Sequence, residues 1–221
     1  MKKLIIPLIL LSCVLIVIGC VSGDGVVAIV LSYLYFPGED GTNGVELWKT
    51  DGTIEGTGMV KDIYPGVNSS DPGNLTNVNG TLYFRANDGT TGNELWKSDG
   101  TYAGTVMVKD IYTGATGSSS SYLTNVNGTL FFTAYDGTTG YELWKSDGTG
   151  AGTVMVKDIN TGDGAGSNPE FLTNVNGTLY FMANDGTHGY EPWKSDGTAS
   201  GTVMIMDVFE GIGNGYYYPD D

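Results

Sequence analysis

The stretch ELWKSDGTGAGTVMVKDI, residues 142–159, constrains this chain more than any other, because it recurs along most of the sequence. ELWKTDGTIEGTGMVKDI begins at Glu46, ELWKSDGTYAGTVMVKDI at Glu94 and EPWKSDGTASGTVMIMDV at Glu191, so the steps are 48, 48 and 49 residues. A period of this length marks a repeat architecture, in which each unit buries its apolar faces only against its neighbours.

The flank repeats as well. LTNVNGTLYFRANDGTTGNELWK starts at Leu75, LTNVNGTLFFTAYDGTTGYELWK at Leu123 and LTNVNGTLYFMANDGTHGYEPWK at Leu172. In the first unit VVAIVLSYLYF stands in that place, with Leu34-Tyr35-Phe36 falling 48 residues before Leu82-Tyr83-Phe84. Each unit reads as four short strands: LTNV, TLYF, YELWK and TVMVKDI. The first two are joined by Asn-Gly (Asn79-Gly80, Asn127-Gly128, Asn176-Gly177), which tolerates φ > 0 at both central positions and predicts a two-residue type I′ hairpin. DGTTG or DGTHG leads into the third strand and SDGTxxGT into the fourth. A longer loop of variable sequence follows, at 64–74, 112–122 and 160–171.

Alternation shows which faces are covered. In TLFFTAY, Leu130, Phe132 and Ala134 point one way, and Phe131 and Tyr135 the other. In the fourth strand, Val154 and Val156 oppose Met155 and Ile159. Both faces are largely apolar, so each small sheet is expected to be covered on both sides. Four-stranded antiparallel units of about 48 residues with two buried faces describe the blades of an all-β β-propeller. Four blades span 25–208, and an acidic, Tyr-rich tail occupies 209–221. Its Tyr216–Tyr218 run falls about where a further unit would open, so the sequence leaves open whether four blades close a ring or belong to a longer array. The 35 glycines gather at the turns and show no Gly-X-Y period, which excludes collagen.

Residues 1–19, MKKLIIPLILLSCVLIVIG, form a separate segment: a basic start at Lys2 and Lys3, then an apolar stretch short for a membrane span. Val17-Ile18-Gly19-Cys20 resembles the lipobox of bacterial-type lipoprotein signals. The resemblance implies a signal peptide over 1–19, lipid attachment at Cys20 and a short linker over 20–24. Such a protein is exported and held at the cell surface or outer membrane face by its lipid alone. Cys13 and Cys20 are the only cysteines, so cleavage leaves no thiol for a disulfide, a metal or nucleophilic catalysis. Cleavage also removes two lysines and no acid, taking the formal charge from −15 to −17. That charge disfavours nucleic acid and anionic membrane surfaces as partners.

The repeated ELWKSDGTxxGTVMVKDI is similar to the ELWxxDGT repeat of exported bacterial and archaeal proteins. The match covers almost all of the chain beyond the signal. It departs from the pattern in the first unit, which lacks LTNVNG, and in the last, where Pro192 replaces Leu and Met206 replaces Lys. The resemblance implies a propeller-like fold outside the cytoplasm and brings no catalytic residues.

Several repeated positions invite a functional reading and also have a structural one. SDGTxxGT looks somewhat like the Asp-box of sialidase propellers. Asp51, Asp99, Asp147 and Asp196 recur in every unit, however, whereas a catalytic site occurs once, so an Asx-turn role is expected. Arg85 is the only arginine, too few to clamp a sialic acid carboxylate. Trp48, Trp96, Trp144 and Trp193 suit packing between blades better than a ring of sugar platforms, with each N–H expected to find a partner. Asp88, Glu94, Asp136, Glu142, Asp185 and Glu191 flank Gly-rich loops and offer oxygen ligands for calcium as a minor reading; hydrogen-bonded turns are the main one. His188, the only histidine, reads as a surface substitution for Thr. Asn68, Asn74, Asn79, Asn127 and Asn176 lie in glycosylation sequons, although the Asn-Gly turns explain the last three on their own.

The expected function is non-enzymatic: an adhesion or ligand-binding platform at the cell surface, binding a protein or carbohydrate through the variable loops on one rim. The alternative is a calcium-dependent, lectin-like binder, which predicts repeated, identical sites with an open Trp or Tyr face. An extracellular hydrolase ranks third, since no set of unlike inward-pointing groups stands out.

Overall fold

The computed structural model describes residues 28–30, 33–211 and 213; the proposed signal over 1–19, Cys20, the linker and most of the tail lie outside them. The described residues form sixteen strands and no helix. They group into four sheets of consecutive strands. The first comprises β1 (Ala28–Val30), β2 (Tyr33–Gly38), β3 (Glu46–Thr50) and β4 (Gly58–Lys61). The second comprises β5 (Gly73–Val78), β6 (Thr81–Asn87), β7 (Asn93–Ser98) and β8 (Val106–Lys109). The third runs through β9 (Ser121–Val126), β10 (Thr129–Tyr135), β11 (Tyr141–Ser146) and β12 (Val154–Lys157). The fourth consists of β13 (Glu170–Val175), β14 (Thr178–Asn184), β15 (Tyr190–Ser195) and β16 (Val203–Met204). Every neighbouring pair is antiparallel, in simple up-and-down order. The first strands of successive sheets lie against one another, β1 by β5, β5 by β9 and β9 by β13. These are β-propeller blades.

The Asn-Gly connections are type I′ turns: Asn79 and Gly80 have φ of 51° and 86°, and the other two pairs match within a few degrees. In the first unit, which lacks the motif, β1 still pairs antiparallel with β2, from Ala28↔Tyr35 to Val30↔Tyr33.

Alternation within the second strand of each blade sends side chains to two different interfaces. Leu130, Phe132 and Ala134 pack with Val78, Tyr83 and Leu95 of the preceding blade. Phe131, Leu143 and Val156 pack with Leu179, Phe181 and Trp193 of the following one. The first and second blades meet the same way, through Tyr35, Leu47 and Val60 against Leu82, Phe84 and Trp96. Each fully buried Leu or Phe contributes about 1.5–3 kcal/mol, so these interfaces carry most of the stability.

One expectation needs correction. Ile159 lies on the side of Val156, not of Met155: Ile159 and Val156 belong to the interface with the fourth blade, while Met155 packs on the second. The strand stops at Lys157, and the register between β11 and β12 shifts at Leu143/Trp144, so period-two alternation ends before Ile159.

Ridges of lysine tie the blades together as well. Lys49, Lys97 and Lys145 each donate from Nζ to a carbonyl in the next blade, of Gly100, Gly148 and Gly197, at 2.7, 2.8 and 2.8 Å. Lys61, Lys109 and Lys157 reach Thr105, Thr153 and Thr202 carbonyls at 2.8, 2.8 and 2.9 Å, passing over the next blade's Trp on the way.

Candidate binding rim

Because the strands alternate in direction, the variable crossover loops and the Asp-Gly-Thr loops share one end of the blades. The Asn-Gly and Ser-Asp-Gly turns share the other.

The Glu that opens each third strand builds this rim. Glu94 is fully buried and accepts hydrogen bonds from Tyr112 N (3.1 Å), Ser118 N (2.8 Å) and Ser118 Oγ (2.6 Å). Glu46 holds Ile63 N, Tyr64 N, Ser70 N and Ser70 Oγ, and Glu142 holds Ile159 N, Ser167 N and Ser167 Oγ. One carboxylate therefore pins both ends of each crossover. Between the pins the chain bulges outward, leaving four-residue exposed tips at 65–68, 113–116 and 161–164. In the fourth unit Glu191 accepts from Val208 N at 2.8 Å, and no further crossover follows it among the described residues. Burial raises the Glu46 and Glu94 carboxyls above the ordinary range despite these hydrogen bonds, and lifts that of Glu142 to about 7.

The Asp-Gly-Thr loops are closed by their own carboxylates. Asp88 Oδ1 accepts from the backbone N–H groups of Thr90 and Thr91, both at 2.8 Å, and from both Thr hydroxyls. Asp136 and Asp185 repeat the pattern with Thr138 and Thr139 and with Thr187 and His188. Burial works against ionisation of these three aspartates, but the turn hydrogen bonds outweigh it and hold them below the usual range. His188 Nδ1 sits 2.7 Å from Asp185 Oδ2, which raises the imidazole pKa. The six acids weighed as calcium ligands thus serve as turn and loop anchors. Among the described residues no group of three or more His, Cys, Asp or Glu side chains is placed to hold a metal ion.

On the opposite end, Asp51, Asp99, Asp147 and Asp196 accept from the N–H and hydroxyl of the Thr two residues on, at 2.7–2.9 Å. The Thr hydroxyl comes first in lowering these carboxyls, and the arrangement is an Asx-turn. Trp96, Trp144 and Trp193 are buried between blades, while Trp48 is half-buried. The expectation of an N–H partner holds only for Trp193, which donates to Ala183 O at 3.1 Å; the indole N–H groups of Trp48, Trp96 and Trp144 are unpaired.

One cleft on the loop-bearing rim is built by residues that the repeat does not dictate. Tyr122, Thr133 and Tyr141 of the third blade face Asn168, Pro169 and Glu170 of the fourth across a cavity of about 180 Å³. Its floor is tied across the blades by Thr133 Oγ1, which donates to Pro169 O at 2.6 Å. Tyr141 lies tilted against Tyr135 (5.4 Å between rings, 38° between planes), and Tyr135 meets Tyr112 of the crossover edge-on at 5.1 Å. Tyr122 and Phe171 lie 6.4 Å apart and are both exposed. Their φ values of 53° and 56° are in the left-handed region, where bulky side chains are strained. The cause is a bulge: Phe131 pairs with Thr124 and Thr133 with Ser121, leaving Tyr122 and Leu123 opposite Phe132. One blade earlier the corresponding positions are Gly73, Asn74, Arg85 and Asn93, without an aromatic ring. Tyr122, Asn168, Pro169 and Glu170 fall in the variable loops 112–122 and 160–171 that the sequence marked out; what it did not show is that Thr133 and Tyr141 of the strands join them, because the bulge that turns Tyr122 outward has no signature in the residues.

No family model and no curated protein matches the chain. Among solved structures it is similar to a crystal structure of a puromycin hydrolase mutant complexed with PGG, at a TM-score of 0.50 and 16% identity, over 80% of this chain and 28% of that one. At this identity the likeness is of fold, and it supports the β-propeller arrangement.

Proposed function

We propose that this protein is a non-enzymatic surface platform that binds its ligand on the crossover rim, with the Tyr122–Tyr141–Glu170 cleft as the contact centre. The observation that carries this reading is that the cleft's residues depart from the repeat while the surrounding frame keeps it. The exposed tips 65–68, 113–116 and 161–164 stand on the same rim and are held by buried Glu–Ser anchors, which lowers the entropy lost on binding. Exposed Tyr rings beside Asn and Glu suit a sugar unit or a polar peptide side chain. The expected export through the Cys20 lipid anchor would present this rim outside the cell.

The lectin-like alternative draws support from the same Tyr pair. Its calcium dependence draws little from Asp88, Asp136 and Asp185, each of which commits Oδ1 to its own turn. The test is a screen of the intact chain against glycans and extracellular-matrix proteins, with and without EGTA, repeated with Tyr122→Ala and Glu170→Gln. Binding lost in both variants and indifferent to EGTA is the expected result. Full binding by both variants would remove the cleft from the account, and binding abolished by EGTA would favour the calcium-dependent lectin.

A further inference from the structure

Among the described residues the two end faces of the blade array carry exposed apolar side chains, and they are the two halves of an interface the chain already makes three times. On the trailing faces of the first three blades, Val60, Val108 and Val156 are 6, 8 and 7% exposed, and Ile63, Ile111 and Ile159 are 5, 9 and 7% exposed. The corresponding residues of the fourth blade, Ile205 and Val208, are 49 and 52% exposed, and Val175 and Tyr180 beside them are also open. A shallow apolar depression lies on this face, lined by Phe171, Tyr180, Met182 and Pro192. On the leading faces, Leu82, Leu130 and Leu179 are fully buried, whereas Leu34 of the first blade is 37% exposed and Phe36, Trp48 and Met59 around it are half-buried.

We infer that copies of this chain associate head to tail, the fourth blade of one packing on the first blade of the next. The occupant follows from complementarity, since the fourth blade's trailing face needs a surface of the Leu-Phe-Trp-Met type and the first blade presents one. The polar contacts carry over too. Lys49, Lys97 and Lys145 each reach the carbonyl of a Gly with φ near 87–88° in the following blade; among the described residues no blade follows Lys194, and Gly52, at φ 94°, is the matching acceptor on the first. At one position the ends differ from the interior. Met206 replaces the lysine that would otherwise cross over the next Trp, and it is 62% exposed. It sets an apolar thioether where it would meet the half-buried Trp48 of the second copy, a favourable sulfur–aromatic contact. An interface of this kind is heterologous, so it closes into a ring or extends as a string according to the blade angle.

The mass of the purified intact chain in mild detergent, measured by light scattering after size exclusion, tests the inference. A mass of two or more single chains is expected, the single-chain mass being taken from mass spectrometry of the same preparation. Leu34→Asp and Ile205→Asp alter side chains already open to solvent and leave the internal interfaces untouched. Each alone should yield monomer, and a mixture of the two should associate again, because it restores one unaltered pair of faces. A monomeric wild-type chain would overturn the inference and leave the ends to be covered by other blades. Persistence of the assembly in either variant would overturn it equally, placing the contact elsewhere.

Discussion

Lys97 Nζ donates to the carbonyl of Gly148 at 2.8 Å, across the boundary between the second and third blades. The same lysine position is used at every internal boundary, so the WK pair in each repeat serves adhesion between blades on two levels. The indole supplies area, and the ammonium fixes the register of the neighbouring turn.

Replacing Lys97 by Met removes that charge-assisted bond while keeping much of the side chain's apolar stem. A loss of about 1–2 kcal/mol is expected. Urea unfolding followed by far-UV circular dichroism measures it, and an unchanged midpoint would show that the bond is neutral to stability.

Trp144 and Trp48 occupy equivalent positions in unequal surroundings, one 7% exposed between two blades and the other on the open leading face. Trp144→Ala should cost about 3–5 kcal/mol through lost burial and a cavity. Trp48→Ala should cost about 1–2 kcal/mol, from the smaller area it buries. Equal losses would contradict the open end face.

The Glu142 carboxyl, raised by burial from 4.5 to about 7, makes stability depend on pH. Between those values the folded chain holds a proton that the unfolded chain has released. This group's contribution is therefore complete below about pH 4.5 and is lost as pH rises through about 7. Glu46 and Glu94, shifted in the same direction, act with the same sign. Across pH 5–8 the thermal midpoint of wild type should fall more steeply with rising pH than that of Glu142→Gln, whose profile is flatter because it lacks this titration. Superimposable profiles would refute the assignment.

Gly128 and Gly164 separate backbone strain from collision. Both have positive φ, 85° and 66°, but a Cβ at Gly128 would meet Asn79 Nδ2 at 2.5 Å, whereas one at Gly164 meets nothing within 4 Å. Gly164→Ala should cost about 1 kcal/mol, and Gly128→Ala about 1–2 kcal/mol, since the amide end of Asn79 must also turn aside. Differential scanning calorimetry of the two variants distinguishes them.

Much of the fold is legible in the repeat because its signals are local. Asn-Gly dictates a type I′ turn wherever it occurs, Asp-x-Thr closes its own loop, and alternation in TLFFTAY assigns Leu130 and Phe131 to opposite faces before any neighbour is known. The role of Glu94 was not legible, since its partners Tyr112 and Ser118 lie 18 and 24 residues away and depend on where the crossover returns. An acid beside a Gly-rich loop looks like a ligand for an ion until backbone N–H groups are seen to fill that place.

The amino-acid sequence by itself determined the unit: four strands, their turns, two apolar faces and the number of copies. These follow from φ preferences and period-two patterning, which act over a few residues. The tertiary structure alone decided which copies find a neighbour. Val156 is covered and Ile205 is bare although both stand at the same place in the repeat, because burial depends on the blade that comes next. It also decided that Tyr122 turns outward into a cleft with Glu170, since a bulge in its own hairpin and the approach of the following blade, neither encoded in one stretch of chain, bring those side chains together.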